Sequence, residues 1–194
     1  MHWHAQRVGD LSFSADGSDL YSVGREGVFV RWQLHSAQRS FLPRLGAPVG
    51  ILSTSPDGQS AALGGDDNAI RLIDLVGNSL RFTLHAPLSA ARLTPDPRLR
   101  CVVELACLSS DGCHLASLER REEAELRQHI CLKFWHLSTG SFRLVARVSQ
   151  PHASVVSALA FHPGRLMVAS ASFDSKFKLW EATASDDEQP KPPS

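Results

Sequence analysis

A histidine, a serine and an aspartate lie close together near the end of the chain and could in principle carry out hydrolysis. His152, Ser170 and Asp174 are the residue types of a serine nucleophile, its general base and an orienting carboxylate. Ser170 does not lie in a G-x-S-x-G sequence, the strained turn that exposes the nucleophile of many hydrolases. We therefore favour a structural role for this group and predict no catalytic residues.

The same residue types recur at the start of the chain. Each set contains a histidine, a serine, an acidic residue and a tryptophan: His4, Ser22, Glu26 and Trp32 in the first, and His152, Ser170, Asp174 and Trp180 in the second. In both sets the first three residues precede the tryptophan by 28, 10 and 6 positions. Three matching distances indicate an internal repeat, which constrains the fold more than any single motif.

The elements between these residues are short strands. Alternation of apolar and polar side chains, as in the stretch from Phe177 to Trp180, has the period of two of a half-buried strand. Turn residues such as Asp16 and Gly17 separate these strands. Repeats of roughly 40 residues built from such strands predict the blades of a β-propeller.

Two further repeats lie between the terminal ones. In the second, Asp67 aligns with Glu26, whereas Leu45 and Ile73 occupy the histidine and tryptophan positions. The third ends at Trp135. Between them, an inner strand and turn expected over residues 90–97 are followed at once by another inner strand, Cys101 to Leu108. This arrangement predicts an irregular or truncated blade, with a deletion near residue 98.

We therefore predict an all-β chain that forms a partial propeller of about four four-stranded blades. The predicted blades cover residues 1–35, 36–76, 77–138 and 139–182, and residues 183–194 form a polar tail that we expect to be disordered. Four blades are few for a closed ring. The chain is therefore expected to be a fragment or short isoform of a longer propeller protein.

The repeated histidine, serine, acidic residue and tryptophan resemble the WD-repeat family, in which they form a hydrogen-bonded group within a blade. The resemblance implies a structural blade network of ten residues: His4, Ser22, Glu26, Trp32, Asp67, Trp135, His152, Ser170, Asp174 and Trp180.

Two less common stretches, Phe41-Leu-Pro-Arg-Leu-Gly46 and the charged insertion after Leu115-Ala-Ser-Leu-Glu119, resemble a nucleolar branch of that family with two propellers. The similarity implies that this chain lacks part of the first propeller and all of the second.

That resemblance implies a non-enzymatic scaffold of the nucleus and nucleolus, which supports pre-ribosomal RNA transcription and processing. The implied partners are protein subunits of the small-subunit processome, with pre-ribosomal RNA contacted through the complex. The alternative is a generic WD-repeat adaptor that binds peptides or histones and is unrelated to ribosome assembly.

The charged insertion from Glu119 to His129 is not required by a blade. It is either a partner contact or a solvated long turn, as an exposed helical turn or an extended hairpin. The residues expected at a partner contact are Glu119, Arg120, Arg121, Glu122, Glu123 and Arg127.

Composition excludes several other classes of function. The formal net charge is zero, so no overall field attracts nucleic acid or membrane. The four cysteines form no C-x-x-C pair, which argues against a zinc site and favours a reducing intracellular setting. No apolar signal segment or membrane-length apolar run is present. We expect no cofactor, no metal, no small-molecule substrate and no membrane partner.

Overall fold

The computed structural model describes residues 3–42, 45–85, 100–122 and 128–181. These residues form fifteen strands in four antiparallel sheets. The first sheet contains β1 (Val8–Phe13), β2 (Asp19–Gly24), β3 (Phe29–Gln33) and β4 (Arg39–Leu42). The second contains β5 (Val49–Thr54), β6 (Ser60–Gly65), β7 (Ala69–Asp74) and β8 (Ser79–His85). The third contains β9 (Arg100–Leu108), β10 (His114–Glu122), β11 (Gln128–Ser138) and β12 (Ser141–Ser149). The fourth contains β13 (Val156–Phe161), β14 (Met167–Ser172) and β15 (Phe177–Glu181).

Each sheet is a meander in which every strand pairs with the next strand in sequence. Such pairing needs only short turns, and it confirms the predicted all-β fold of about four blades. The inner strands β1, β5, β9 and β13 lie side by side across the four sheets. Each of the first three sheets therefore packs a face against the sheet that follows it.

The sheet boundaries differ from the predicted blades by one strand. The prediction ended the first blade at residue 35 and the third at residue 138, but β4 pairs with β3 and β12 pairs with β11. Each outer strand thus completes the sheet that precedes it, because a tight turn such as Ser138–Ser141 returns the chain directly onto its neighbour.

The sheet from Arg100 to Ser149 has four strands, and the last sheet has three among the described residues. The predicted irregular or truncated blade stays a prediction. The strand and turn expected over residues 90–97 lie outside the described residues, as does the predicted tail at 183–194.

Three of the sheets have the same turn between their first and second strands. Ser14, Ser55 and Ser109 each donate a hydroxyl hydrogen bond to an aspartate two residues later, at 2.6, 2.5 and 2.5 Å. The glycine after each aspartate has a positive φ of 72°, 74° or 66°, a conformation that a side chain disfavours. This turn fixes the register between the first and second strands of each sheet.

The apolar core lies between the sheets. One cluster joins the first and second sheets and includes Phe29, Val49 and Leu63. A second cluster joins the second and third sheets through residues such as Ile70 and Leu115. Two more clusters join the third and fourth sheets. Burial between faces, rather than within one sheet, therefore holds the blades together.

Candidate functional site

The polar network predicted for the last blade is assembled by three elements of that blade. His152 precedes β13, Ser170 lies on β14, and Trp180 lies on β15. The hydroxyl of Ser170 contacts His152 Nε2 at 2.8 Å and accepts a hydrogen bond from Trp180 Nε1 at 2.8 Å. His152 Nδ1 lies 3.1 Å from Asp174 Oδ2. A neutral imidazole that donates from Nδ1 to the carboxylate and accepts the serine proton at Nε2 satisfies every group in this hydrogen-bonded network.

The carboxylate of Asp174 organises the turn between β14 and β15. It accepts hydrogen bonds from the backbone N–H groups of Ala153 and Lys176, each at 3.0 Å. Burial raises the pKa of this carboxyl, but the hydrogen bonds from Ala153, His152 and Lys176 outweigh burial and lower the pKa to about 2. Asp174 is therefore ionised at neutral pH and fixes the orientation of His152.

The first blade contains the same network. Ser22 Oγ lies 2.7 Å from His4 Nε2 and accepts a hydrogen bond from Trp32 Nε1 at 2.9 Å. His4 Nδ1 contacts the carboxylate of Glu26. Glutamate thus reaches the same ring nitrogen as aspartate does in the last blade, although its side chain is one methylene longer.

The third blade retains part of the network. Trp135 Nε1 donates to the hydroxyl of Ser117 at 2.9 Å. Ser117 lies two residues after Leu115, which pairs with Trp135. Ser22 and Ser170 occupy the same register in their blades. Because β10 and β11 extend further than their counterparts, the serine precedes the tryptophan by a longer stretch of sequence than in the terminal blades.

The second blade replaces the histidine, serine and tryptophan of the network with apolar side chains. Leu45, Leu63 and Ile73 occupy the histidine, serine and tryptophan positions, and all three belong to one buried cluster. Replacing both members of a buried hydrogen-bonded pair with apolar groups of similar size costs little, whereas replacing one leaves its partner unsatisfied. The predicted network residue Asp67 instead pairs with Arg71. Burial raises the pKa of the Asp67 carboxyl, but the ion pair with Arg71 and nearby backbone N–H groups outweigh it, so that the pKa lies below its ordinary value.

The serine of the last blade is not positioned for hydrolytic chemistry. Ser170 is 1% exposed, and its oxygen is already engaged by the tryptophan and the histidine. A nucleophilic serine must reach a substrate carbonyl and stand near donors for the resulting oxyanion. Among the residues that the structure describes, no group of three or more histidine, cysteine or acidic side chains could hold a metal ion. In that same part of the chain, no helix is long and apolar enough to cross a membrane.

The described parts of the charged insertion lie on the two paired strands of an extended hairpin. β10 continues through Glu122, and β11 begins at Gln128. Glu119 is 7% exposed and accepts a hydrogen bond from Lys133 Nζ at 2.5 Å. The expectation of a partner contact is therefore wrong for Glu119, whose carboxylate is covered by the neighbouring strand. Burial raises the pKa of Glu119, and Lys133 opposes this shift.

Of the other five residues expected at a partner contact, three lie in the described part of the chain and two lie outside it. Arg120 pairs with Glu104 on β9, and Arg121 lies on β10 beside Cys101. Glu122 ends the strand, while Glu123 and Arg127 lie outside the described residues.

A basic residue near the tryptophan position recurs in three blades and was not among the predicted network residues. Arg71, Lys133 and Lys178 each stand two residues before that position. The ammonium groups of Lys133 and Lys178 lie 5.8 and 5.9 Å from the rings of Trp135 and Trp180, a cation–π distance. The signal was the K-x-W pattern, which occurs in the last two blades.

Face-packed antiparallel sheets that carry a histidine, serine and tryptophan network define a WD-repeat β-propeller protein. This chain belongs to the WD repeat-containing protein 75 family. Residues 1–68 match the model for the first β-propeller of WD repeat-containing protein 75, and residues 98–193 match the model for its second β-propeller. The second match corrects the expectation that all of the second propeller is missing.

Two relatives and one solved structure illustrate this similarity. The chain is 29% identical over 237 aligned residues to human WD repeat-containing protein 75, covering 96% of this chain and 29% of the human protein. It is 45% identical over 78 residues to U3 small nucleolar RNA-associated protein 17 of Schizosaccharomyces pombe, covering 39% of this chain and 10% of that protein.

The structure of U3-55K superposes with a TM-score of 0.70 at 17% identity, covering 93% of this chain and 50% of that one. This likeness establishes the fold. The chain therefore spans about 29% of the length of its human relative and half of a solved propeller chain.

Proposed function

We propose that this chain is a non-enzymatic scaffold in ribosome biogenesis, acting in the nucleolar small-subunit processome and supporting pre-ribosomal RNA transcription and processing. The observation that carries the proposal is its similarity to U3 small nucleolar RNA-associated protein 17. A relative named for its association with a nucleolar RNA suggests protein subunits of the same assembly as partners. Pre-ribosomal RNA would then be contacted through the complex.

The geometry of the blades supports binding rather than catalysis. The polar side chains that recur in the first and last blades hydrogen-bond to one another inside their own sheet. Such networks fix the turns of these two blades and leave their exposed loops to meet partners. The formal net charge of zero favours protein subunits over direct contact with the RNA backbone, which needs a basic surface.

The end of the β10–β11 hairpin is our proposed partner contact. Its strands project beyond the neighbouring strands of other blades, with nine and eleven residues against five or six in β2, β3, β14 and β15. In sequence, the stretch that follows β10 contains both signs of charge, at Glu122, Glu123 and Arg127. Mixed charges at the rim of an interface contribute to orientation and partner choice.

Affinity purification of the tagged chain from cells, with mass spectrometry and quantification of U3 small nucleolar RNA, tests this function. We expect processome subunits and U3 RNA to be enriched over a tag-only control. Recovery of histones or unrelated peptide ligands without processome subunits would instead support a generic adaptor and contradict the proposal.

The partner contact has a separate test. The triple variant Glu122→Ala, Glu123→Ala, Arg127→Ala should recover fewer processome subunits. The matched control Arg143→Ala, Arg147→Ala alters exposed charges on β12 of the same blade and should recover them normally. Equal recovery by both variants would place the contact elsewhere without affecting the proposed scaffold role.

A further inference from the structure

The buried ion pair of Glu119 and Lys133 lies at a position where the other blades have small residues. Glu119 stands two residues after Ser117, which occupies the serine position of the third blade. The residues two places after the serine position in the other blades are Gly24, Gly65 and Ser172. A buried glutamate at this position therefore distinguishes the third blade from the other three.

In the first two blades, a carboxylate from the turn after the second strand fills this space. We call the acidic residue of that turn, Glu26 or Asp67, the turn acid. A Cβ atom added at Gly65 would lie 2.9 Å from Asp67 Oδ1 and 3.4 Å from Arg71 Nη1. A Cβ atom added at Gly24 would overlap the carboxylate of Glu26. A side chain at this position and the turn acid therefore compete for the same volume.

The strands of the third blade continue past the level at which the other blades turn. Glu119 pairs with Cys131, and β10 and β11 remain paired for three further positions, as far as Glu122 and Gln128. In the second blade, residues 66–68 instead connect β6 directly to β7. The space that a turn acid fills in the second blade is therefore open to a side chain of β10 itself.

Glu119 brings a carboxylate into this space and gives it the same kind of partner as in the second blade. Lys133 and Arg71 both stand two residues before the tryptophan position. Asp67 pairs with Arg71, and Glu119 Oε2 accepts a hydrogen bond from Lys133 Nζ at 2.5 Å. Lys133 Nζ also lies 5.8 Å from the ring of Trp135. Equivalent cations of the two blades are thus held by acids from different places along the chain.

The carboxylate of Glu119 depends on Lys133 more than a turn acid depends on a single donor. Within the described part of the chain, Glu119 Oε1 is buried and has no hydrogen-bond partner. The carboxylate of Asp174 in the last blade accepts hydrogen bonds from the backbone N–H groups of Ala153 and Lys176 as well as contacting a histidine. A buried charge that loses its partner destabilises the structure around it strongly. Removing Lys133 should therefore loosen the strands at Glu119.

We propose that Glu119 acts as the turn acid of the third blade, carried on a strand, and that its pair with Lys133 positions the projecting hairpin for a protein partner. Glu119 and Lys133 are 7% and 4% exposed, so they are positioning residues rather than contact residues. Because the acid is supplied by β10, the chain beyond it is released from the task of closing the blade. The identity of the partner rests on the proposed function, whereas the role of the pair within the blade does not.

A graft of the second blade's turn tests whether Glu119 replaces a turn acid. In the grafted chain, residues 119–130 are replaced by Gly-Asp-Asp-Asn, the sequence of residues 65–68, so that a turn acid again faces Lys133. One control has Glu-Asp-Asp-Asn, which puts two carboxylates into one space, and a second has Gly-Asp-Asn-Asn, which lacks the turn acid. We expect the grafted chain to have a higher melting temperature than either control. A grafted chain that melts no higher than either one would overturn the proposal.

Single substitutions test the pair in the natural hairpin. Glu119→Gln and Lys133→Met should each speed amide hydrogen exchange in residues 120–122 and 128–130 by about tenfold or more, because a hydrogen bond between charged groups is lost. Exchange in the first sheet should not change, which shows that the variants are folded. Lys133→Arg should retain the natural protection, since Arg71 holds the acid of the second blade. Unchanged exchange in the hairpin, or a change spread over all four sheets, would overturn the positioning role.

Recovery of partners from cells separates positioning from a purely structural role. Glu119→Gln should recover fewer processome subunits than the natural chain, whereas the conservative variant Lys133→Arg should recover them normally. Normal recovery by Glu119→Gln, despite faster exchange in its hairpin, would confine the pair to the structure of the blade and overturn its role in positioning the contact. Failure of the natural chain to recover these subunits would contradict the proposed function alone, and the graft and the exchange measurements would still decide the role of Glu119.

Discussion

The serine hydroxyl is the centre of each polar network, because it links the histidine to the tryptophan. In the last blade, Ser170→Ala would remove the partner of both His152 Nε2 and Trp180 Nε1. Leaving buried polar groups unsatisfied costs about 1–3 kcal/mol. We expect the free energy of unfolding, measured with urea, to fall by that amount. The control Ser141→Ala, at an exposed position on β12, should change it little, and equal effects would contradict the role assigned to Ser170.

The carboxylate of Asp174 gives this network a defined pH dependence. Its pKa is about 2 in the folded chain, below its ordinary value of 3.8. A group whose pKa is lowered by folding stabilises the fold above its ordinary pKa, and this contribution is lost as pH falls through the folded pKa. The difference in free energy of unfolding between the natural chain and Asp174→Asn should therefore be constant from pH 7 to about pH 4 and vanish towards about pH 2. A difference that persists at the lowest pH would contradict an ionised Asp174 as its source.

The three tryptophans of the blades differ in burial, and their contributions should differ accordingly. Trp135 is 4% exposed, whereas Trp180 is partly exposed beside Phe134. Removing a fully buried aromatic side chain costs about 3–5 kcal/mol. We expect Trp135→Ala to lower the free energy of unfolding by that amount and Trp180→Ala by less. Thermal denaturation that ranks the two variants in the reverse order would contradict the described burial.

The sequence pattern predicts the residues of the polar networks better than it predicts the basic residues beside them. The spacing of His4, Ser22 and Glu26 from Trp32 was readable because it recurs in the last blade. Ser117 does not fit the spacing of the other serines, because the longer hairpin separates it from Trp135 in sequence. It nevertheless keeps the same strand register relative to Trp135. The burial of Glu119 could not be read from a run of charges, since it depends on Lys133 across the hairpin.

At the scale of elements, the contact between the second and third sheets is the most informative one. It joins the second sheet, whose first two strands lie within the first-propeller match, to the third sheet, which lies within the second-propeller match. A Cβ atom added at Gly64 on β6 would lie 2.9 Å from Val103 Cγ1 on β9. This close approach needs the hydrogen of glycine, and so it reports directly on whether the two sheets pack together.

We therefore expect Gly64→Ala to destabilise the chain by about 1–3 kcal/mol, as overpacking of a close contact does. Adding Val103→Ala should restore part of the loss, because it removes the atoms that clash. The control Gly50→Ala places its Cβ 3.9 Å from Arg25 and should be tolerated. Urea denaturation of the single and double variants measures the coupling, and its absence would mean that β6 and β9 are not in contact.

Strand positions were predictable from alternation and turn residues, whereas sheet membership was not. The turns at Ser14, Ser55 and Ser109 share the serine, aspartate and glycine pattern that separates the first two strands. Nothing in the alternation of β4 or β12 shows which neighbour each strand joins, because an outer strand has the same pattern in either sheet. The hydrogen bonds to β3 and β11 settle the question.

At the scale of the whole molecule, the sequence pattern predicted a run of about four blades but not their similarity to parts of two different propellers. Blades of either propeller share the same tryptophan register and inner-strand pattern, so these features do not distinguish one propeller from the other. The match of residues 98–193 to the second β-propeller supplies this distinction. Family membership combined with the proposed scaffold role makes association with pre-ribosomal particles the central claim.

Sedimentation of nucleolar extract from cells that express the tagged chain tests that claim most directly. We expect the chain to migrate in a sucrose gradient with large particles that contain U3 small nucleolar RNA. Degrading RNA before sedimentation should shift it toward the top, whereas the same shift should not occur in untreated extract. A chain that remains at the top of the untreated gradient while U3 RNA sediments normally would contradict a role in the small-subunit processome.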